Sequence, residues 1–197
     1  DTNELWDKWQ DGIFVTQEFS AAGANSIVAG HPDDILRKFK DTDETCLISR
    51  YIPHEFDPTV LGVVAGENEV YIAGVADQQI ADQNRFTGST FPSVLPPEII
   101  NELKAQTRRL GKWLAREGYR GIFGCDFIVD SDEKIIFLEV NARKQGTTME
   151  FCCTLEQTLP KGSPILPELE YHAVTHGGFP ENTVEMTENS KSIHWGT

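Results

Sequence analysis

The sequence predicts an α+β protein arranged as two lobes, and three observations support this fold class. Apolar strand-like segments at residues 59–65 and 69–76 follow each other across a short turn, as do those at 121–130 and 134–141, which is typical of antiparallel hairpins. Residues 97–117 carry the longest helical pattern in the chain. From this grouping of strands and helices we expect helices packed to one side of the sheets.

Short strands and one helix are predicted for the first 52 residues. Residues 13–19 and 26–29 have strand-like composition, and the small residues at 20–25 between them indicate a loop. A helix is predicted over residues 32–40, because a proline followed by two aspartates is a favourable first turn. Residues 46–52 predict the next strand, which a proline ends.

The remaining elements begin after residue 53. Residues 77–94 are polar and without periodicity, so that we expect a long loop, either functional or disordered, between the first hairpin and the long helix. Residues 147–159 and 168–174 predict two further helices. The predicted domains are a small lobe with an incomplete N-terminus, a large lobe and a C-terminal extension, at residues 1–52, 53–159 and 160–197.

Composition argues against nucleic acid and membranes as partners. The 31 acidic and 17 basic residues give a net charge of -14, which repels nucleic-acid phosphates and anionic lipids. No apolar run reaches the roughly 18–20 residues of a membrane helix, and residues 1–11 lack the pattern of a signal peptide. The four cysteines form no CxxC pair, so we expect no zinc site and a cytoplasmic location.

The hairpin at residues 121–143 carries the most informative residues. With a turn centred on residues 132–133, the residue numbers of each predicted pair add up to 265, so that Asp126 lies opposite Glu139. By the same register Ile128 lies opposite Phe137. One face of the hairpin is then wholly apolar and belongs to the core, and it comprises Cys125, Phe127, Val129, Ile136, Leu138, Val140 and Ala142.

The other face of this hairpin ends in Asp126, Glu139, Asn141 and Arg143. Directly opposed carboxylates repel each other unless they share a proton or hold a cation. Two carboxylates and an amide offer oxygen ligands, which suit magnesium or manganese, and an arginine beside them can bind phosphate. A solvated polar end, or a register shifted by a bulge, is the alternative explanation.

The strand–turn–strand with Asp126 and the sequence EVNAR at residues 139–143 resembles the metal-binding hairpin of the ATP-grasp superfamily. Continuation of this motif to Gln145 is similar to the biotin-carboxylase branch, whereas residues 146–148 are more similar to the peptide-ligase branch. The resemblance covers residues 11–159 and implies an ATP-grasp-like fold, in which the nucleotide lies between two α+β lobes.

The resemblance also implies roles for particular residues. Asp126, Glu139 and Asn141 would bind magnesium or manganese ions that bridge the ATP phosphates, and Arg143 would be the catalytic residue that stabilises the transferring phosphoryl group. The loop of small residues would close over the phosphates, and the strand at residues 46–52 would face adenine. The implied nucleotide-binding residues are Gln17, Ala22, Gly23, Ala24, Ser49, Tyr51, Ile52, Glu55, Arg85 and Leu138.

Two features depart from the family pattern. The family usually has a lysine where this sequence has Gln17, and near the strand at residues 46–52 the nearest cation is Arg50. ATP-grasp ligases also carry a preceding α/β domain, so we expect the chain to be part of a longer protein whose N-terminal domain is a partner of this one.

The resemblance implies that ATP activates a carboxylate as an acyl phosphate, from which an amine displaces phosphate. The expected partners are therefore ATP and a small-molecule carboxylate and amine. A catalytically weak or inactive regulatory ATP-binding domain is the main rival hypothesis, and the absent lysines favour it. A different ATP-grasp chemistry, such as carboxylation, and an unrelated α+β binding domain are two further hypotheses.

Overall fold

The computed structural model forms two compact units. It describes residues 2–20, 23–41, 43–181 and 183. Unit 1 comprises the described residues up to Glu55 together with residues 78–88. Unit 2 comprises residues 56–77 and the described residues from Ser89 onward. This division gives residues 78–88 to the first unit, whereas the predicted small lobe ended at residue 52.

Unit 1 contains a three-stranded antiparallel sheet of order β2-β1-β3. Its elements are α1 (Thr2–Lys8), β1 (Ile13–Gln17), β2 (Ser26–Ala29), α2 (Pro32–Phe39) and β3 (Cys46–Arg50). Ile13 and Val15 of the central strand are buried, whereas Phe14 between them is half-buried, which is the alternation of a sheet with one covered face. The first and third strands end earlier than the predicted residues 19 and 52.

Unit 2 is built on a five-stranded sheet of order β6-β5-β4-β7-β8. Its elements are β4 (Pro58–Gly66), β5 (Glu69–Ala81), β6 (Arg85–Thr90), α3 (Pro97–Arg116), β7 (Gly121–Val129), β8 (Ile135–Asn141), α4 (Thr148–Thr158) and α5 (Leu166–His176). The tips of β5 and β6 are the part of the hairpin that belongs to unit 1.

Helices cover both faces of the sheet in unit 2, so the prediction that they pack to one side is wrong. Leu103 and Leu114 of α3 pack with one set of buried strand residues, and α4 and α5 pack with the other. The physical reason is that residues 60–65 of β4 are all apolar or glycine and all buried, so both faces need cover. Leu166, Leu169 and Ala173 of α5, which lies in the predicted C-terminal extension at residues 160–197, belong to this core.

The prediction of a long loop at residues 77–94 is also wrong, because most of these residues form the β5–β6 hairpin. The Asn84 amide donates to the Ala81 carbonyl at 3.2 Å, and Asp82 and Gln83 have positive φ angles of 53° and 67°. Two left-handed central residues are typical of the tight turns that match the twist of a hairpin. The residues of this hairpin are mostly polar and most of those in β6 are half-buried, so the alternation of buried and exposed positions that identifies a strand is weak.

The register of β7 and β8 agrees with the prediction at one end of the hairpin and not at the other. Asp126 pairs with Glu139, as predicted. An irregularity follows, so that Phe127 pairs with Phe137 and Ile128 pairs with Ile136 instead of Phe137. Leu138 is the extra residue and is 53 % exposed, so its predicted place in the core is wrong. Ala142 is exposed as well.

No helix within the described ranges is both long enough and apolar enough to cross a membrane.

Candidate active site

Three polar side chains meet on the α4 and α5 side of the sheet in unit 2, where β7 and β8 carry the predicted metal ligands. The Asn141 amide nitrogen Nδ2 lies 3.0 Å from Asp126 Oδ2 and 3.0 Å from Glu139 Oε1, and donates to both. Register explains this meeting, because Asp126 pairs with Glu139 and Asn141 is two residues further along the same face of β8. The two carboxylates therefore converge on one point.

The electrostatics of this group are dominated by Asp126. Burial raises the pKa of its carboxyl to about 6, and the adjacent charge of Glu139 contributes to the same rise. Hydrogen bonds from Thr59 and Asn141 act in the opposite direction, because they stabilise the ionised form. A half-buried carboxylate held next to a second carboxylate is unfavourable without a positive partner.

The donor set fits a hard divalent cation. Asn141 Nδ2 is a donor equidistant from one oxygen of each carboxylate, and rotation of the amide would present its oxygen Oδ1 in the same place. The resulting ligands are all oxygen, which suits magnesium or manganese. In the described part of the chain no three His, Cys, Asp or Glu side chains group as metal ligands, so a cation here depends on the asparagine.

Two further residues, Thr59 and Gln145, contact this group. Thr59 pairs with Asp126 across β4 and β7, and its hydroxyl hydrogen-bonds to the Asp126 carboxylate. The Gln145 amide nitrogen Nε2 donates to Thr59 Oγ1 at 2.7 Å and to Thr147 Oγ1 at 3.1 Å. Thr59 was not among the predicted site residues, because a threonine in an apolar strand carries no signal of its own. Gln145 was predicted only as part of a motif.

Arg143 and Leu138, the remaining predicted site residues of unit 2, are both exposed. The backbone amide of Arg143 donates to the Asn141 carbonyl at 2.8 Å, and its guanidinium donates to the Lys144 carbonyl at 3.1 Å. Arg143 therefore lies two residues after the end of the strand that carries Glu139 and Asn141, and its side chain is open to solvent. Lys144 is held by Glu170, with 2.7 Å between Nζ and Oε2.

In unit 1 the structure brings Gly23 next to the tip of the β5–β6 hairpin. The side-chain amide of Asn84 donates to the Ser26 carbonyl at 2.8 Å and to Ser26 Oγ at 3.0 Å. Gly23 has a φ of +78°, and a Cβ added there would lie 1.7 Å from the Asn84 carbonyl oxygen. Ala24 is an exposed turn residue, and Ala22 lies outside the described residues.

The remaining predicted nucleotide contacts lie on or after strands of unit 1. Ser49 is in β3, and the backbone amide of Tyr51 donates to the Gly12 carbonyl at 3.1 Å. Gln17 ends β1 opposite Cys46, whereas Ile52 and Glu55 follow β3, half-buried and exposed respectively.

Two cations of unit 1 already have acidic partners. Arg85 is exposed and forms an ion pair with Asp82, with 2.9 Å between Nη2 and Oδ2. Arg50, the cation nearest to the predicted adenine strand, forms an ion pair with Asp11. Breaking an exposed ion pair of this kind requires about 0–1 kcal/mol.

Comparison with known families identifies the fold. A model of the ATP-grasp domain matches residues 8–147, which is more than half of the chain. The chain belongs to the ATP-grasp family. The family prediction from the hairpin motif is therefore confirmed.

Two curated relatives of this ATP-grasp chain are ligases. It is 27 % identical over 119 residues to the butirosin acyl-carrier protein–L-glutamate ligase of Niallia circulans, a match that covers 60 % of this chain and 28 % of that protein. It is 32 % identical over 91 residues to the L-propargylglycine–L-glutamate ligase of Streptantibioticus cattleyicolor, a match that covers 45 % of this chain and 18 % of that protein. The chain thus spans less than a third of either relative.

Solved ATP-grasp structures share the α+β fold. A carboxyaminoimidazole ribonucleotide synthase from Aspergillus clavatus, complexed with ATP, matches 91 % of this chain and 44 % of its own with a TM-score of 0.70 at 15 % identity. The biotin carboxylase domain of the Hydrogenobacter thermophilus 2-oxoglutarate carboxylase was solved in complex with MgADP and bicarbonate. It matches 74 % of this chain and 34 % of its own chain, with a TM-score of 0.60 at 17 % identity. The predicted fold class, α+β with two antiparallel sheets, is confirmed.

Proposed function

We propose that this chain is the ATP-binding part of a magnesium-dependent ligase that joins a carboxylate to an amine through an acyl phosphate. The observation that carries the proposal is the convergence of Asp126, Glu139 and Asn141, with an oxygen of each carboxylate 3.0 Å from one amide nitrogen. This cluster has no evident structural purpose, because two adjacent carboxylates destabilise a hairpin. A bound magnesium ion would neutralise charge on the ATP phosphates there.

In the proposed reaction an oxygen of the substrate carboxylate attacks the γ-phosphorus of ATP, and the bond to the bridging oxygen of ADP breaks. The amine nitrogen then attacks the acyl carbon, loses a proton and displaces inorganic phosphate. Arg143 is exposed two residues after Asn141, and its guanidinium would bind the phosphoryl oxygens in both steps. No nucleophile from the protein is needed, so positioning and charge neutralisation supply the catalysis.

L-Glutamate is the first substrate to test. Both curated relatives carry L-glutamate in their names, one with an acyl-carrier protein and one with an amino acid as its partner. We propose that this protein also takes an amino acid carboxylate or amine. We further propose a reducing cytoplasm as its location, which is supported by four free cysteines at Cys46, Cys125, Cys152 and Cys153.

The test uses the full protein that contains this chain and follows the oxygen atoms of the substrate carboxylate. L-Glutamate and candidate partner acids are supplied with ¹⁸O in the carboxylate, together with ATP, magnesium and an amine mixture. The proposal predicts ADP release, an amide product and one ¹⁸O atom in the inorganic phosphate. Release of ADP with unlabelled phosphate would contradict the acyl phosphate, and a product that requires bicarbonate would indicate carboxylation instead.

Variants connect that activity to the site. Arg143→Ala is expected to lower kcat by about 10²–10³-fold, the usual effect of removing one donor to developing negative charge. Arg108→Ala is the matched control, because Arg108 is an exposed arginine in α3. Equal losses in the two variants, or none in Arg143→Ala, would remove Arg143 from the proposed mechanism.

A further inference from the structure

Gln145, Thr59 and Asp126 are joined by hydrogen bonds in series, from Gln145 to Thr59 and from Thr59 to Asp126 of the carboxylate pair. Thr59 is 1 % exposed, and its hydroxyl contacts the Asp126 carboxylate. Gln145 Nε2 lies 2.7 Å from the same hydroxyl oxygen. The three residues come from β4, β7 and the segment between β8 and α4, which are brought together by the sheet register.

The direction of this chain follows from the number of protons available. A carboxylate accepts hydrogen bonds only, so the single proton of the Thr59 hydroxyl is directed to Asp126. The Thr59 oxygen must then accept, and the amide nitrogen of Gln145 is in place to donate to it. Donation therefore runs from Gln145 through Thr59 to Asp126, and leaves the other side of Asp126 facing Asn141 and Glu139.

The position of Gln145 depends on Gly124. A Cβ added to Gly124 would lie 1.8 Å from Gln145 Oε1 and 2.7 Å from Nε2, so the glutamine amide occupies the space that a side chain would take. The Gln145 oxygen Oε1 is buried and has no hydrogen-bond partner among the described residues. A buried amide oxygen without a partner is costly, and the two hydrogen bonds that the amide nitrogen donates to Thr59 and Thr147 offset part of that cost.

We propose that Thr59 and Gln145 are positioning residues for the divalent cation, acting through the orientation of Asp126. This inference rests on the proposed function, because it assigns the two residues to the same metal site. Neither residue would be a ligand of the cation: Thr59 would act through Asp126, and Gln145 would act through Thr59. Partners of metal ligands in other proteins typically change metal affinity 10–100-fold when they are removed.

The experiment measures the magnesium concentration that gives half-maximal ATP binding, by titration of the full protein. Thr59→Val keeps the side-chain volume and removes the hydroxyl, and we expect about a tenfold or greater increase in that concentration. ATP affinity at saturating magnesium should stay within about twofold of wild type. General damage to the fold would instead weaken ATP binding at every magnesium concentration. Thr59→Ser should restore the wild-type requirement.

Three further variants keep the inference falsifiable. Gln145→Met should shift the magnesium requirement in the same direction, and the Thr59→Val, Gln145→Met double variant should be no worse than Thr59→Val alone, because the residues act in series. The matched control is Thr107→Val, since Thr107 is an equally buried threonine in α3 on the opposite face of the sheet.

The outcomes separate the two claims. If Thr59→Val and Thr107→Val have the same magnesium requirement while Glu139→Ala loses magnesium dependence, the positioning role is wrong and the metal site stands. If Thr59→Ser behaves as Thr59→Val does, the hydroxyl is not what matters and the inference is overturned. If wild-type binding of ATP is independent of magnesium, the proposed function and the positioning role both fall.

Discussion

Replacement of Gly124 by alanine is a sharp test of how the site is packed. The added Cβ would lie 1.8 Å from Oε1 and 2.2 Å from Cδ of Gln145, so the glutamine side chain must leave its place. Its hydrogen bonds to Thr59 and Thr147 are then lost. Buried hydrogen bonds contribute about 0.5–1.5 kcal/mol each, and overpacking costs about 1–3 kcal/mol.

Two lost hydrogen bonds and the overpacking together correspond to about 2–6 kcal/mol. The expected result for Gly124→Ala is a fall of about 2–4 kcal/mol in the free energy of unfolding, the lower part of that range, because the atoms in the way are the end of a flexible side chain. Urea denaturation followed by circular dichroism measures this quantity, and the midpoint in a thermal scan should fall by about 2–4 °C for each kcal/mol in a protein of this size.

The Gln145→Ala background provides the control. The three heavy atoms nearest to the added Cβ all belong to the glutamine amide, so removing the amide removes the closest contacts, and alanine is normally favoured over glycine in a strand by about 0.5–1 kcal/mol. Gly124→Ala should therefore be neutral or stabilising in that background, a reversal of sign. If Gly124→Ala destabilises both backgrounds equally, or stabilises wild type, the assigned contact between Gly124 and Gln145 is refuted.

Three further predictions concern ionisation, backbone strain and thiol reactivity. The folded-state pKa of Asp126, about 6, lies above the ordinary value of 3.8. The native state therefore retains a proton that the unfolded chain has lost, and metal-free stability should fall as pH rises from about 4 to 6. In the presence of a chelator, the free energy of unfolding of Asp126→Asn relative to that of wild type should increase by about 1–3 kcal/mol between pH 4 and pH 8. A difference between the two proteins that does not change with pH would contradict this. Gly23→Ala, at φ +78°, should destabilise the protein by at least about 1–2 kcal/mol in thermal unfolding, whereas Gly30→Ala, with no heavy atom within 4 Å of its added Cβ, should stay within about 0.5 kcal/mol. Burial raises the pKa of the Cys125 thiol to about 12, so iodoacetamide at pH 8 should label the exposed Cys153 first, and early labelling of Cys125 in mass spectra would oppose the described core.

The functional end of the hairpin was predictable because polar and apolar residues alternate there. Asp126 pairs with Glu139 and Gly124 pairs with Asn141 as that alternation predicts, whereas the pairs nearer the turn are shifted by one residue, so the length of the turn alone does not give the register. Residues 135–138 are all apolar, so alternation gives no information on which of them face the core. The structure pairs Phe137 with Phe127, with ring centroids 5.6 Å apart, and leaves Leu138 as the extra residue.

The contacts around Asp126 could not be predicted from sequence. Thr59 is far from Asp126 along the chain, and its role depends on the β4–β7 register, which no local pattern specifies. The β5–β6 hairpin was missed for a different reason, since its polar strands lack an apolar face. The tight turn at Asp82 offered a signal, because aspartate tolerates the left-handed conformation, but the flanking residues did not support a strand assignment.

Calorimetric titration of ATP in the presence and absence of magnesium tests whether the β7–β8 hairpin holds the cation. It compares wild type with the Glu139→Ala, Asn141→Ala double variant, and with Asp132→Ala, Lys134→Ala, which changes two exposed residues at the turn of the same hairpin. We predict magnesium-dependent binding in wild type and in the turn variant, and its loss in the site variant. Equal magnesium-dependent binding in all three proteins would contradict the assignment of the cation to Asp126, Glu139 and Asn141.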